Sequence, residues 1–108
     1  MEPVTCYIKE RSLLARMAAR YMGGNQIAMV IGRTIHLHGT SRENFLRHKW
    51  WVRHEICHVM QYKELGLVPF LWKYFWECIR VGYHANRFEV AARAAEHDAA
   101  IMNSVRIV

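Results

Sequence analysis

The centre of the chain carries a histidine pair in the stretch His54-Glu55-Ile56-Cys57-His58. On a helix, residues four apart lie about 40° from each other around the axis, so both imidazoles leave the same face. That spacing lets two neutral ring nitrogens bind one tetrahedral metal ion at about 2.0–2.1 Å. Glu55 lies about 100° from His54 around the axis, where it is badly placed to be a ligand but well placed to hold a metal-bound water. The stretch therefore predicts a helix that carries a metal site.

The spacing is also the His-Glu-x-x-His pattern, in which the carboxylate is the general base of a zinc-dependent hydrolysis. The alternative interpretation is two polar residues on an exposed helical face. Apolar residues flank the pattern and a plausible third ligand follows it, and both features favour the metal site over the alternative.

Composition predicts one core-forming domain, residues 1–108. The chain is 53% hydrophobic, with four Trp, five Tyr and four Phe, which makes disorder a poor description. Its formal net charge is +6, but the 15 Lys and Arg are dispersed, so a nucleic-acid partner is possible and unsupported. The three cysteines show no paired spacing, which is typical of free thiols in a reducing, cytoplasmic compartment. No signal peptide or membrane-spanning stretch is expected.

Hydrophobic periodicity predicts an α+β fold of about four helices and a small β-hairpin, with the histidine helix at its centre. The predicted elements are a helix over 8–22, strands over 27–31 and 34–38, helices over 42–65, 70–83 and 87–102, and a strand-like or loose tail over 103–108.

Three local features add to this outline. Thr40 and Glu43 have the capping-box spacing and predict the start of the histidine helix. His36 and His38 share one face of a strand, where two exposed residues are a better explanation than a second metal site. The segment over 70–83 is rich in aromatic residues. Such a segment could rest on a membrane surface or a partner, but charges interrupt it at helical spacing, which favours packing in the core.

The third ligand has several candidates. A catalytic zinc site usually has three protein ligands and one open position. Glu64 points away from His54 and His58 on a continuous helix, and His84 follows a turn at Gly82 and remains possible. Glu89 fits best, because it lies 31 residues after His58 on its own helix, beside a stripe of small residues that permits close helix packing. Its alternative role is a surface carboxylate paired with Arg93. Glu96 lies about 10 Å further along that helix, so one ion would not use both carboxylates.

His54-Glu55-x-x-His58 followed by Asn86-Arg87-Phe88-Glu89-x-x-Ala92 resembles the gluzincin zinc metallopeptidases, and the single-domain minigluzincins are closest in size. The resemblance implies a zincin-like fold, Zn²⁺ held by His54, His58 and Glu89, a catalytic Glu55, and an edge strand that pairs with an extended peptide. In the integral-membrane gluzincins the glutamate segment continues as Glu-x-x-Ala-Asp. Here Arg93 replaces that Asp, so the pattern supplies no carboxylate to orient the histidines.

The sequence therefore predicts a zinc metallopeptidase in which Glu55 moves the proton of the attacking water. Tyr83, His84 and Arg93 are the candidates for stabilising the oxyanion, and the first two are the predicted further catalytic residues. Two other functions are open: a catalytically idle metal-binding module of a larger assembly, and a peptidase associated with nucleic acid.

Overall fold

The computed structural model, which describes residues 2–108, confirms the α+β class. Within those residues it contains a four-stranded mixed sheet, five α-helices and one 3₁₀-helix. The strands are β1 (Val4–Lys9), β2 (Ile27–Ile31), β3 (Thr34–His38) and β4 (Val105–Ile107). The helices are α1 (Leu13–Met22), α2 (Arg42–Arg47), α3 (Lys49–Leu65), α4 (Leu67–Ala85), α5 (Arg87–Ala95) and the 3₁₀-helix Ala99–Ser104.

The sheet has the strand order β2-β3-β1-β4, so β2 and β4 are its edges. β2 and β3 form the predicted antiparallel hairpin around the two-residue turn at Gly32 and Arg33. β1 runs parallel to both of its neighbours, pairing Ile8 with Ile35 of β3 and Val4 with Val105 of β4. The parallel pairs need the long crossovers that the helices provide.

The two faces of the sheet are covered by different helices. Ile35 and Leu37 of β3 are fully buried in one core cluster with Ile56 of α3, as the alternation of the strand predicts. On the other face the ring of His36 lies 2.7 Å from the hydroxyl of Ser12, the residue that caps α1. The central helix α3 therefore sits between the sheet and the helices α4 and α5.

The predicted first helix was wrong at its beginning. Ile8 belongs to β1, and α1 starts only at Leu13, where the Ser12 hydroxyl accepts a hydrogen bond from the Ala15 amide. The apolar residue at position 8 fits a helical pattern, but it is used to pair with β3. A long-range pairing therefore overrides the local periodicity.

The predicted helix over 42–65 is two helices. The backbone leaves the helical conformation at His48 (φ −90°, ψ 85°), and the ring Nδ1 of this residue donates a hydrogen bond to the Asn44 carbonyl at 2.9 Å. The break lets fully buried Phe45 of α2 meet the ring of Trp51 edge-on. The cap of α2 is also Ser41, whose hydroxyl accepts from the Asn44 amide, rather than the predicted Thr40.

The prediction that the aromatic segment packs in the core was wrong for most of its side chains. α4 buries Phe70 and Glu77 and half-buries Tyr74 along one stripe, and its other aromatic side chains are exposed. The cause is that α4 contacts α3 and α5 on one side only. The helix is interrupted at Gly82 (φ +83°), which confirms the turn predicted there.

The last helix is shorter than the predicted range of 87–102. α5 ends at Ala95, and the Asp98 carboxylate then accepts from the Ala100 amide at the start of the 3₁₀-helix. The predicted strand-like tail is confirmed as β4, which adds to the edge of the sheet beside β1. Across residues 2–108, no helix has both the length and the apolar character needed to span a membrane.

Gly39 provides a test of the fold. Its φ is +77°, and a Cβ there would lie 2.0 Å from the carbonyl oxygen of Asn25. Gly32 also has a positive φ, +66°, but a Cβ there meets nothing within 4 Å. We expect Gly32→Ala to lower the free energy of unfolding by about 1–2 kcal/mol through backbone strain, and Gly39→Ala to lower it by about 1–3 kcal/mol more through the clash. Urea denaturation of both variants measures the difference, and equal losses would contradict the close approach.

Candidate metal centre

Two helices bring His54, His58 and Glu89 together. The histidines leave α3 on the same face, and Glu89 reaches them from the first turn of α5. His54 Nε2 lies 3.1 Å from Glu89 Oε1, and His58 Nε2 lies 3.3 Å from Glu89 Oε2. The ligand atoms of the three residues all lie within 4.8 Å of one another. This is the only such group of three or more His, Cys, Asp or Glu within residues 2–108.

Two distances within the cluster are close to those of a tetrahedral metal site. Ligand atoms about 2.0–2.1 Å from a tetrahedral centre lie about 3.3–3.4 Å from one another. The nitrogen–oxygen distances of 3.1 and 3.3 Å are close to that spacing. Two imidazoles and one carboxylate make three protein ligands, which leaves a fourth position open. The cluster could therefore hold a metal ion.

The other nitrogen of each histidine has a hydrogen-bond partner. His54 Nδ1 donates to Glu96 Oε2 at 2.8 Å, and His58 Nδ1 donates to Gln61 Oε1 at 2.9 Å. The Gln61 amide is held in turn, since its Nε2 donates to the Phe88 carbonyl at 3.1 Å. A proton fixed on Nδ1 leaves the Nε2 lone pair of a neutral imidazole available for a metal. Both rings are thus presented to the cluster by Nε2.

Glu96 supplies the carboxylate that the sequence pattern lacks at position 93. Glu96 follows the last residue of α5 and lies on the outer side of the His54 ring, away from Glu89. It is therefore a partner of a predicted ligand and stands outside the group of three. Arg93 points elsewhere and donates to the main-chain carbonyl of His84.

The position of Glu89 follows from how α5 begins and packs. The side chain of Asn86 is fully buried; its Oδ1 accepts from the Phe88 amide and its Nδ2 donates to the Tyr74 carbonyl at 3.1 Å. Ala92 is fully buried against α3, and its small side chain permits the close approach. The cap fixes the start of α5, and the small residue sets its distance from the histidines.

Tyr74 of α4 holds the second oxygen of Glu89. Its hydroxyl donates to Glu89 Oε2 at 2.5 Å. Burial raises the pKa of Glu89, but hydrogen bonds from His54, His58 and Tyr74 outweigh it, so the pKa lies well below its ordinary value. Burial and the bond to Glu89 raise the pKa of Tyr74. Glu89 is therefore an ionised carboxylate and Tyr74 a protonated donor.

Glu55 lines the same cavity as the cluster and is buried. Burial raises its pKa to about 8; His58 opposes the shift, and the nearby charges of Glu89 and Glu96 add to it. A carboxylate with a pKa in this range can accept a proton near neutral pH. Cys57, the next residue, also has its pKa raised to about 11 by burial, which disfavours the reactive thiolate.

The cavity beside the cluster has a volume of about 320 Å³ and opens between β2, α1, α3 and α4. Val30 of β2 lies in its wall, and its carbonyl accepts a hydrogen bond from the Tyr62 hydroxyl at 2.9 Å. In a two-residue hairpin the residues next to the turn pair with the partner strand, so Ala28 and Val30 direct their backbone groups toward the open edge. An unpaired strand edge therefore faces the cavity.

The two further predicted catalytic residues lie in different places. Tyr83 is half exposed but lines the cavity, and its partial burial together with the charges of Glu89 and Glu55 raises its pKa to about 12, so its hydroxyl is protonated. His84 is exposed, and its side chain is not part of the cavity wall. Its main-chain carbonyl accepts a hydrogen bond from Arg93. The structure brings Tyr83 to the cluster and leaves His84 outside it.

Sequence reasoning missed three residues of this site. Gln61 is three residues after His58, and that helical spacing could have suggested it. Glu96 is seven residues after Glu89, and that spacing on the same side of the helix could have suggested it as a partner of the histidines. Tyr74 gave no local signal, because its contact depends on how α4 packs against α5.

The metal-free chain should lose stability as pH rises from 6 to 9. Glu55 has a raised pKa, so its ionisation destabilises the fold increasingly from about pH 4.5 to about pH 8. Burial lowers the pKa values of His54 and His58, but the nearby carboxylates outweigh it and raise both. For His54 these are Glu89 and Glu96, and for His58 they are Glu89 and Glu55. The stabilisation by the two protonated histidines is therefore complete below about pH 6.5 and is lost above it. Both changes have the same sign. The lowered pKa of Glu89 acts only in acid, where stability falls again.

Melting temperature against pH in the presence of a chelator checks this expectation. Glu55→Gln should flatten the curve, whereas Glu64→Gln, a change of an exposed carboxylate on the same helix, should leave it unchanged. A wild-type melting temperature that stays level or rises between pH 6 and 9 would contradict the assignment.

The comparisons with known proteins identify no relative. No protein-family model matches the chain, and no curated protein or solved structure is significantly similar to it.

Proposed function

We propose that this protein is a zinc-dependent metallopeptidase similar to the minigluzincins, with His54, His58 and Glu89 as ligands and Glu55 as general base. The observation that carries the proposal is the shared cavity: the three ligand atoms and the Glu55 carboxylate line one space beside an unpaired strand edge. The sequence resemblance and the geometry support the same residues.

Zinc is the metal that this donor set suits best. Two imidazole nitrogens and one carboxylate oxygen in a site with an open position are a recurrent ligand set of catalytic zinc. A bound zinc ion would supply Lewis-acid polarisation of the scissile carbonyl and of a water molecule. The hydrogen bonds from His54 to Glu96 and from His58 to Gln61 keep both rings in the orientation that this set requires.

Glu55 carries out the proton transfers. In the proposed reaction its carboxylate takes a proton from the attacking water and gives it to the leaving amine. Burial beside the histidines favours both roles, because a carboxylate with a raised pKa can hold the proton between the two steps. The nearby cation would lower that pKa and keep the base ionised at the start of the cycle.

Two tyrosines assist in different ways. Tyr83 lines the cavity with a protonated hydroxyl and is the donor that we assign to the developing oxyanion. Tyr74 already donates to Glu89 and is assigned to position that ligand. His84 was predicted for the oxyanion as well, but its ring is not in the cavity wall, which favours Tyr83.

The substrate class follows from the strand edge. An extended peptide can add to β2 through the outward backbone groups of Ala28 and Val30, of which the Val30 carbonyl is already bonded to Tyr62. Met22, Phe70 and Leu71 contribute apolar surface to the same cavity. We therefore propose flexible peptide segments as substrates. Glu55 is the feature that distinguishes this function from an idle metal-binding module, which has no need of a buried base in the cavity.

The metal proposal predicts about one zinc ion per chain. Glu89→Ala should weaken zinc binding strongly, because it removes one of three ligands and leaves both histidines without their shared partner. His84→Ala should leave the affinity nearly unchanged, because its side chain lies outside the cavity wall. Elemental analysis and competition with a chromophoric chelator measure both. Folded protein that takes up no zinc on titration, or a Glu89→Ala variant with wild-type affinity, would contradict the assignment.

The base proposal predicts that Glu55→Gln keeps zinc affinity and fold while peptide hydrolysis falls by about 10²-fold or more. Digestion of a peptide library, followed by mass spectrometry, provides the activity. Glu64→Gln is the matched control and should retain turnover, since its side chain is exposed on the same helix. Equal turnover of Glu55→Gln and wild type would assign the hydrolysis to another group. Stoichiometric zinc without hydrolysis of any peptide would instead favour the idle module.

A further inference from the structure

The outer face of α4 is a continuous apolar surface. Its members recur at helical spacing and are all exposed: Val68, Leu71, Trp72, Phe75, Trp76 and Ile79. Trp72 is 69% exposed, Ile79 61%, and Phe75 and Trp76 58% each. Isolated exposed apolar residues are ordinary, but a contiguous set of large ones marks an interaction surface. We call this set the α4 face.

The inner and outer sides of α4 have separate roles. Phe70, Tyr74 and Glu77 point inward, where Tyr74 holds Glu89 and Glu77 accepts from the Arg87 amide at 3.1 Å. The inner stripe is enough to attach the helix to α3 and α5. The buried residues of α4 therefore all lie on its inner side, and the α4 face is mostly open to solvent.

The exposed charges at the border of the α4 face are positive. The only acidic residue of α4 is Glu77, which is buried and paired with Arg80 at 2.9 Å, whereas Lys73 is exposed at the border of the α4 face. Arg80 is also exposed and lies seven residues after Lys73, on the same side of α4. Such a surface complements an anionic partner.

We propose that the α4 face docks this protein on an anionic lipid bilayer surface. Trp and Phe on one side of a helix with Lys or Arg at its border are the pattern of helices that lie in the membrane interface. Lys73 is positioned for its stem to follow the apolar surface while its ammonium group reaches the lipid phosphates.

The shape and charge of the surface favour a bilayer over a second copy of the chain. The α4 face is a convex helix with protruding indole rings, and a fluid bilayer accepts such rings without a complementary pocket. A second copy with a formal charge of +6 would bring like charges together. Leu71 belongs both to the α4 face and to the cavity wall, so docking would hold the cavity beside the lipid surface.

Co-sedimentation of the full chain with lipid vesicles tests the proposal. We expect binding to vesicles of equal parts phosphatidylglycerol and phosphatidylcholine at low salt, with weaker binding to pure phosphatidylcholine and in high salt. The double variant Trp72→Ser/Trp76→Ser should lower the affinity at least tenfold. Trp50→Ser is its matched control, because Trp50 is also exposed but lies on α3, and it should bind as the wild type does.

Two lysine variants distinguish electrostatic attraction to the lipid from insertion of the apolar side chains. Lys73→Gln should lower the affinity for the anionic vesicles about fivefold, whereas Lys49→Gln, an exposed lysine at the start of α3, should not. All substituted side chains are exposed, so circular dichroism should show unchanged folding. The readout is lipid binding alone, which makes the result independent of peptidase activity.

Three outcomes would overturn the proposal. The first is a wild-type chain that does not sediment with anionic vesicles at low salt, whatever else the α4 face binds. The second is a double variant that binds as tightly as the wild type. The third is a dimer that fails to bind vesicles and becomes a monomer in the double variant, which would assign the α4 face to self-association.

Discussion

The contact between one buried carboxylate and two histidines sets the arrangement of the helices. Glu89 is only 3% exposed, and an ionised carboxylate at such a position must have partners. It has three donors, His54 and His58 from α3 and Tyr74 from α4. Because these donors come from two other helices, the carboxylate fixes α5 against both. The same contact places the three residues close enough together that they could hold an ion, so packing and any metal binding would depend on one group.

The parts of the site that the sequence predicted are those set by local spacing. The interval between His54 and His58 follows from the helical repeat, and Glu89 follows from a cap at Asn86 and the small side chain of Ala92. The predictions that failed depend on contacts distant in sequence. Ile8 could not be assigned to a strand without its partner Ile35 of β3. The helical pattern of apolar residues likewise continues through position 48, so it gives no sign that the backbone turns there and divides the predicted helix in two.

The carboxylate that orients the His54 ring is not at the position that the sequence motif predicts. The familiar position for it is four residues after the glutamate ligand, and here that position holds Arg93, which turns away to the His84 carbonyl. Glu96 performs the role from seven residues after Glu89. Both positions lie on the side of α5 that can face α3, so the choice depends on the distance between the helices near His54. That distance is a property of the packed structure, which local sequence does not encode.

The aromatic segment of α4 was expected to pack in the core, and there is a physical reason why most of its side chains are exposed instead. Periodicity shows that α4 has two different sides, but it does not show which apolar side has a neighbour. In this small domain α4 contacts other helices only through Phe70, Tyr74 and the residues beside them. Since Tyr74 binds Glu89 while Trp72 and Trp76 face solvent, the two sides can change independently. A helix built in this way holds Glu89 from one side and leaves the other side open for the docking that we propose, with Leu71 at the border between the two.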